Sequence, residues 1–359
     1  MKTQTTSYAF ITPLNALRFF AAVGVVVFHY GRWSFPFTLP ILKTYVMNAN
    51  TGVTLFFVLS GFIMVHVYGK ALSVLKKHAV VKFYRARIAR IVPLYIGALL
   101  LTVIPFYMLH KPVSTESFIL HLFFLQAWVP NQSLTLNFTA WSLSVEMMFY
   151  ALFPLLYVWS LHLSQRARFL IVSVVWLVSN AITVAYMIAL HPDLEQVKVI
   201  IKFFPLLHLN SFLLGMIAGI WYATSKAKIR SVLVYASILF LLVAPFLVSE
   251  NMQAIFHNGL FAPAFAVLIV AVAQSKNFFA KALSARPLIL GGDMSYGIYL
   301  LQVPVYNAVY YIYKQLGIFH ALGEEGRFFL YVPLLLVVSW ISLVTLERYG
   351  KRWIRGTGE

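Results

Sequence analysis

The chain has 359 residues, 61% of them hydrophobic and 11% charged, against roughly 25% charged in an average soluble protein. That composition excludes an ordinary soluble enzyme and specifies a multi-pass membrane protein. No cysteine is present, which excludes a thiol nucleophile, a disulfide framework and a thiolate metal site.

Ten segments carry the roughly 20 mostly apolar residues that a spanning helix needs: residues 12 to 31, 52 to 69, 91 to 109, 138 to 160, 169 to 190, 203 to 223, 231 to 249, 257 to 275, 292 to 313 and 328 to 346. The first follows a nearly uncharged N-terminus without a small-residue cleavage site, so it reads as a retained signal-anchor helix. No polar stretch reaches the roughly 50 residues of a soluble domain. The expectation is therefore an all-α integral membrane bundle of about ten helices forming a single transmembrane domain over residues 1–359, with both termini on one side.

The formal charge of +18 raises the question of nucleic acid, and the placement of the basic residues answers it. If the termini are cytoplasmic, inner segments hold 21 of the 28 Lys and Arg residues and outer segments seven: Arg32, Lys43, Lys111, Lys198, Lys202, Lys314 and Arg327. This alternation is what the positive-inside rule expects of a plasma-membrane (in a bacterium, inner-membrane) protein. Lys2 and Arg18 open the inner set. Charge thus reports orientation, and nucleic acid is excluded as a partner. Within the outer stretch 110–137, "SFILHLFFLQAW" is apolar but too short to span, and reads as an interfacial or re-entrant helix.

Ionisable residues inside a membrane are costly and mark function by default. Of ten acidic residues, Glu146 alone lies well inside an apolar segment, while Asp293 falls at an expected helix start, where a carboxylate can cap free N–H groups. His29 lies within the first segment; His66 and His208 fall nearer segment ends, where structural or interfacial roles are the ordinary reading. At about 1.5 Å per residue, Arg18 is about 16 Å from His29, whereas His29, Glu146 and Ser60 reach similar depths. A carboxylate beside an imidazole raises its basicity and fixes its tautomer, as a general base requires. The alternative is a buried pair that only specifies packing. Two such ligands do not close a metal site, so no metal is expected.

The inner loop "KKHAVVKFYRARIARIVPLY" concentrates Arg85, Arg87 and Arg90 at the membrane surface. Arg87 and Arg90, three apart, share a helix side. They serve either as positive-inside anchors in contact with anionic lipid or, with Arg18, as a polyphosphate site, since guanidinium forks match phosphate oxygens.

Six stretches stand out, four of them holding Arg18, His29, Ser60, the loop arginines and Glu146: "RFFAAVGVVVFH", "GVTLFFVLSGFIM", "RARIARIVPLY", "AWSLSVEMMFYALFPLL", "FLLGMIAG" and "SYGIYLLQVP". In that order the chain resembles the acyltransferase 3 family of integral-membrane acyltransferases almost end to end. The resemblance implies about ten helices and transfer of acyl groups, usually acetyl from acetyl-CoA, to hydroxyls of cell-envelope sugars. By it, His29 corresponds to the essential histidine, Arg18 to its paired arginine, Arg87 and Arg90 to an Arg-x-x-Arg motif and Glu146 to the glutamate of S-x-E. One departure stands out: the tyrosine-rich late motif ends in His in many relatives and in Gln302 here, which hydrogen-bonds but does not titrate.

The expected mechanism has acyl-CoA phosphates on Arg87, Arg90, Arg85 and Arg18, with the thioester at His29. There His29, oriented by Glu146, either deprotonates the acceptor hydroxyl or carries the acyl group itself. Ser60 lacks a G-x-S-x-G elbow and is expected to support packing or an oxyanion; Trp141, Ser142, Ser144, Tyr296 and Gln302 complete the expected pocket. Acyl-CoA is then a co-substrate, with no permanently bound cofactor, and the partners are an envelope carbohydrate and membrane lipid. Two other classes remain open: a glycan or lipid transporter or flippase, which would work without acyl-CoA, and a non-catalytic sensor, which would tolerate loss of His29 and Glu146.

Overall fold

The computed structural model describes residues 11–108, 112–189, 195–248, 254–318 and 322–355. Among them the chain is helical. Helix α1 (Pro13–Val26) runs into a π-helical turn at Val27–Gly31, followed by α2 (Pro40–Met47), α3 (Gly52–Leu72), α4 (Lys77–Met108) and the short α5 (Thr115–Leu122). Then come α6 (Trp141–Leu161), α7 (Gln165–Ala189), α8 (Glu195–Phe203), α9 (Leu209–Thr224), α10 (Ser231–Leu247), α11 (Ala254–His257), α12 (Ala262–Gln274) and α13 (Phe278–Leu283). Helix α14 (Arg286–Gln315) and α15 (Gly323–Ser342) follow, and a second π-helical turn, Leu343–Glu347, leads into α16 (Arg348–Arg355).

Among the described residues, seven helices are long and apolar enough to cross a membrane, against the ten segments expected. The other three segments are helical too, but fall short for identifiable reasons. Helices α10 and α12 have 17 and 13 residues; at about 1.5 Å per residue, α12 is about 20 Å long, less than the roughly 30 Å hydrocarbon core. Helix α14 has 30 residues but carries Arg286, Asp293, Gln302, Asn307 and Lys314. The stretch after residue 111 contains a helix of only eight residues, α5, and then turns in which Phe124, Asn131 and Leu136 take positive φ. Lys2 and Lys111 lie outside the described residues, as do the chain ends 1–10 and 356–359.

Asp293 is not at a helix start. Helix α14 begins seven residues earlier, at Arg286, with Pro287 in its first turn, where a missing N–H costs nothing. Asp293 therefore lies inside the helix and instead accepts a hydrogen bond from Asn15 Nδ2 at 2.9 Å.

Two close helix contacts set the site's framework. Helices α3 and α9 meet where Gly61 and Gly215 face each other's partner backbone; a Cβ on Gly61 would collide with the Phe212 carbonyl, and one on Gly215 with that of Val58. Helices α1 and α14 meet in the same way at Gly292, against the Asn15 backbone. Inside lipid the apolar environment supplies no hydrophobic drive between helices, so contact depends on small residues that let backbones approach and on van der Waals packing. Around these crossings an aromatic core forms: Phe57 packs edge-on to Phe149 at 5.2 Å, and Phe149 stacks on Phe212 at 4.5 Å.

Candidate active site

Helices α1, α3, α4, α6 and α14 enclose a cavity of about 830 Å³, its open mouth included. Three arginines, Arg18, Arg87 and Arg90, line it together with Glu146, Tyr150 and Tyr296. Local helix geometry explains which side chains arrive. On α4, Arg87 and Arg90 are three apart and share a face, whereas Arg85, two residues from Arg87, points to the opposite side. On α6, Ser142, Glu146 and Tyr150 recur every four residues and all line the cavity.

Two of the three arginines are held by their own neighbours. Arg87 Nη2 donates to the Tyr68 hydroxyl at 2.6 Å, and its guanidinium lies 4.8 Å from the Tyr68 ring centroid and 5.7 Å from that of Tyr150. Arg90 Nη1 is 3.6 Å from Glu347 Oε2, which is equally close to Lys351 Nζ. Arg87 Nε and Arg90 Nη2 are buried without a hydrogen-bond partner. Buried donors are normally satisfied, because an unmade bond there costs about 1–3 kcal/mol. Two cavity-lining arginines that each keep an unpartnered donor therefore suit an anionic ligand, above all phosphate.

His29 lies in the π-helical turn Val27–Gly31, a distortion found frequently at functional sites. Its Nδ1 is 2.8 Å from Gln302 Oε1. Gln302 is fully buried and donates from Nε2 to the Tyr299 carbonyl at 2.6 Å, so its amide is oriented with Oε1 toward the imidazole. Because that oxygen only accepts, His29 Nδ1 carries the proton and Nε2 holds the free lone pair. The ring is flanked by Phe138 at 4.8 Å and Phe28 at 5.1 Å. Tyr30, next in sequence, stacks on Tyr306 at 4.2 Å.

The two features are adjacent. Tyr296 and Tyr299 line the cavity, and Gln302 follows Tyr299 by one helical turn, a rise of about 4.5 Å. Tyr296 is anchored by its hydroxyl to the Ile91 carbonyl at 2.8 Å, and Tyr299 to that of Thr139 at 3.0 Å. A rigid face of α14 thus connects the arginines to the histidine.

Several expected placements change. Glu146 does not orient His29: it accepts from Tyr150 at 2.5 Å and, at a long 3.5 Å, from Ser60. Helix α6 turns the carboxylate into the arginine cavity, and Gln302 occupies the position beside the imidazole. Arg85 is exposed, outside the cavity lining, and donates to the Ile354 carbonyl at 3.0 Å. Ser60, Ser142 and Tyr296 line the cavity, but Trp141 and Ser144 do not. Ser144 is bound to the Phe124 carbonyl at 2.5 Å, and Trp141 packs against His257 at 4.9 Å and His208 at 5.1 Å. Both lie on the side of α6 away from the 142–146–150 face. Tyr68, Tyr150 and Glu347 escaped the sequence reading. The four-residue step from Glu146 to Tyr150 was a usable signal; Glu347 gave none, because it lies just past an apolar segment among cations.

The acyltransferase-domain family model matches residues 11–346. The O-acetyltransferase OatA of Staphylococcus aureus is 27% identical over 339 residues, covering 86% of this chain and 53% of OatA. The acyltransferase MdmB of Streptomyces mycarofaciens is 31% identical over 158 residues, 41% of this chain and 39% of MdmB. This chain thus spans about half the length of OatA. No solved structure matches.

Proposed function

The chain belongs to the acyltransferase 3 family, and from that premise we propose that it transfers an acetyl group from acetyl-CoA to a hydroxyl of a cell-envelope polysaccharide or lipid-linked sugar. The observation that carries this reading is His29, its basic nitrogen fixed by Gln302 one helical turn from a cavity with three arginines. OatA's description as an O-acetyltransferase supports acetyl as the group and oxygen as its acceptor.

In this reading the donor's phosphates lie on Arg18, Arg87 and Arg90, and its extended pantetheine follows the α14 face toward His29. The span fits: Arg18 and His29 are eleven residues apart on one helix, about 16 Å. His29 Nε2 takes the proton from the acceptor hydroxyl as its oxygen attacks the thioester carbonyl carbon. The carbon–sulfur bond breaks, the ester forms, and the proton goes to the departing thiolate, regenerating neutral His29 and releasing CoA. The orienting role first expected of Glu146 passes to Gln302. The basic loops support an orientation with the termini cytoplasmic in a bacterial inner membrane, which puts donor phosphates on the cytoplasmic side and His29 toward the outer side.

The test is to incubate the purified protein, or membranes containing it, with labelled acetyl-CoA and to follow base-labile label in the envelope glycan and lipid fractions. Wild type is expected to label one fraction, and His29→Ala to lose that labelling. Equal labelling by the two proteins would overturn the mechanism.

A further inference from the structure

Glu146 shares its cavity with three arginines but, among the described residues, forms no ion pair with any of them within 4.0 Å. An unrestrained carboxylate in such company would form a forked, charge-assisted pair with a guanidinium. The geometry explains why it does not. Tyr150, four residues on along α6, donates its hydroxyl to Glu146 Oε1 at 2.5 Å, while Arg87 is held by Tyr68 and Arg90 by Glu347. The Tyr150 ring is also a wall of the arginine site, 5.7 Å from the Arg87 guanidinium. Tyr150 is buried, with 3% exposure, so no water replaces its hydroxyl at little cost.

We infer that Tyr150 is a positioning residue that holds Glu146 off the arginines and so keeps Arg87 Nε and Arg90 Nη2 free for the donor's phosphates. Without the hydroxyl, Glu146 turns onto Arg87 and competes with the ligand from within the protein. The inference rests on the donor-site reading above, and adds a specific competitor and the residue that restrains it.

The experiment is a double-mutant cycle on the full chain in lipid nanodiscs, with equilibrium binding of coenzyme A as the readout and thermal melting as the check on folding. Tyr150→Phe keeps the ring and removes the hydroxyl. It is expected to weaken coenzyme A binding about tenfold or more in the wild-type background, the scale of one hydrogen bond to a charged group. In the Glu146→Gln background, where no carboxylate can compete, the same substitution is expected to change binding by less than about twofold. Equal weakening in both backgrounds would assign Tyr150 to packing and overturn the inference, as would no weakening in either. Arg87→Ala and Arg90→Ala are measured alongside: if neither weakens coenzyme A binding, the donor-site reading fails and this inference fails with it. If they do weaken it while the cycle shows no coupling, only this inference falls.

Discussion

Replacing Gln302 by leucine tests the catalytic geometry at its most specific point. Leucine matches glutamine roughly in volume but accepts no hydrogen bond, so His29 Nδ1–H loses its 2.8 Å partner in a fully buried position. An unsatisfied buried donor costs about 1–3 kcal/mol. The imidazole escapes that cost by turning or by moving the proton to Nε2, and either change removes the lone pair from the acceptor hydroxyl. At 1.36 kcal/mol per tenfold, kcat is expected to fall about 10- to 100-fold. The donor KM should hold, because Gln302 does not line the arginine cavity. Gln302→His brings a ring nitrogen able to accept from Nδ1–H and should recover most of the loss. The assay is initial-rate transfer from labelled acetyl-CoA by purified protein across a donor titration. A Gln302→Leu protein that turns over within twofold of wild type would refute the tautomer argument.

Three further predictions concern stability. Trp141→Ala should destabilise the fold by about 3–5 kcal/mol, as for other buried large-to-small changes, and leave coenzyme A binding unchanged; weakened binding with an unaltered melting midpoint would restore Trp141 to the donor site. Gly215→Val drives a side chain into the Val58 carbonyl across the α3–α9 crossing and should cost about 3 kcal/mol, at the upper end for overpacking; thermal unfolding in detergent that matches wild type would contradict so close a contact. Glu347→Ala leaves Arg90 and Lys351 without their shared carboxylate and should cost about 3 kcal/mol, the lower end for breaking a buried pair. Complementary loss of Arg90 should then cost little more, and additive losses in the double variant would refute the pairing.

Much of the site was legible in the sequence because lipid makes polar residues conspicuous. Arg18, His29 and Glu146 stood out for their setting in apolar runs, and the three-residue step of Arg87 and Arg90 already placed them on one helix side. Separation along one helix was legible too, since rise per residue is constant, but not the relative depth of residues on different helices. Nor was azimuth. Glu146 and Ser60, expected at the depth of His29, line the cavity with Arg18, and the direction each side chain takes around its helix made two separate pairs of the expected one, Glu146 with Tyr150 and His29 with Gln302. Arg85, Trp141 and Ser144 fell away for the same reason, each turned from the cavity by its place around the helix.

Composition and periodicity by themselves determined a helical membrane protein and the short set of residues able to do chemistry, because the cost of polarity in lipid is written into every apolar run; the family likeness rested on six motif stretches in order. Only the tertiary structure decided who partners whom. The crossings at Gly61 with Gly215 and at Gly292 fix how α1, α3 and α14 are rotated and spaced. With α1 and α14 so placed, Gln302 rather than Glu146 meets His29, while on α6 Tyr150 takes the Glu146 carboxylate. Rotation about a helix axis depends on contacts from distant parts of the chain, so local spacing cannot supply it.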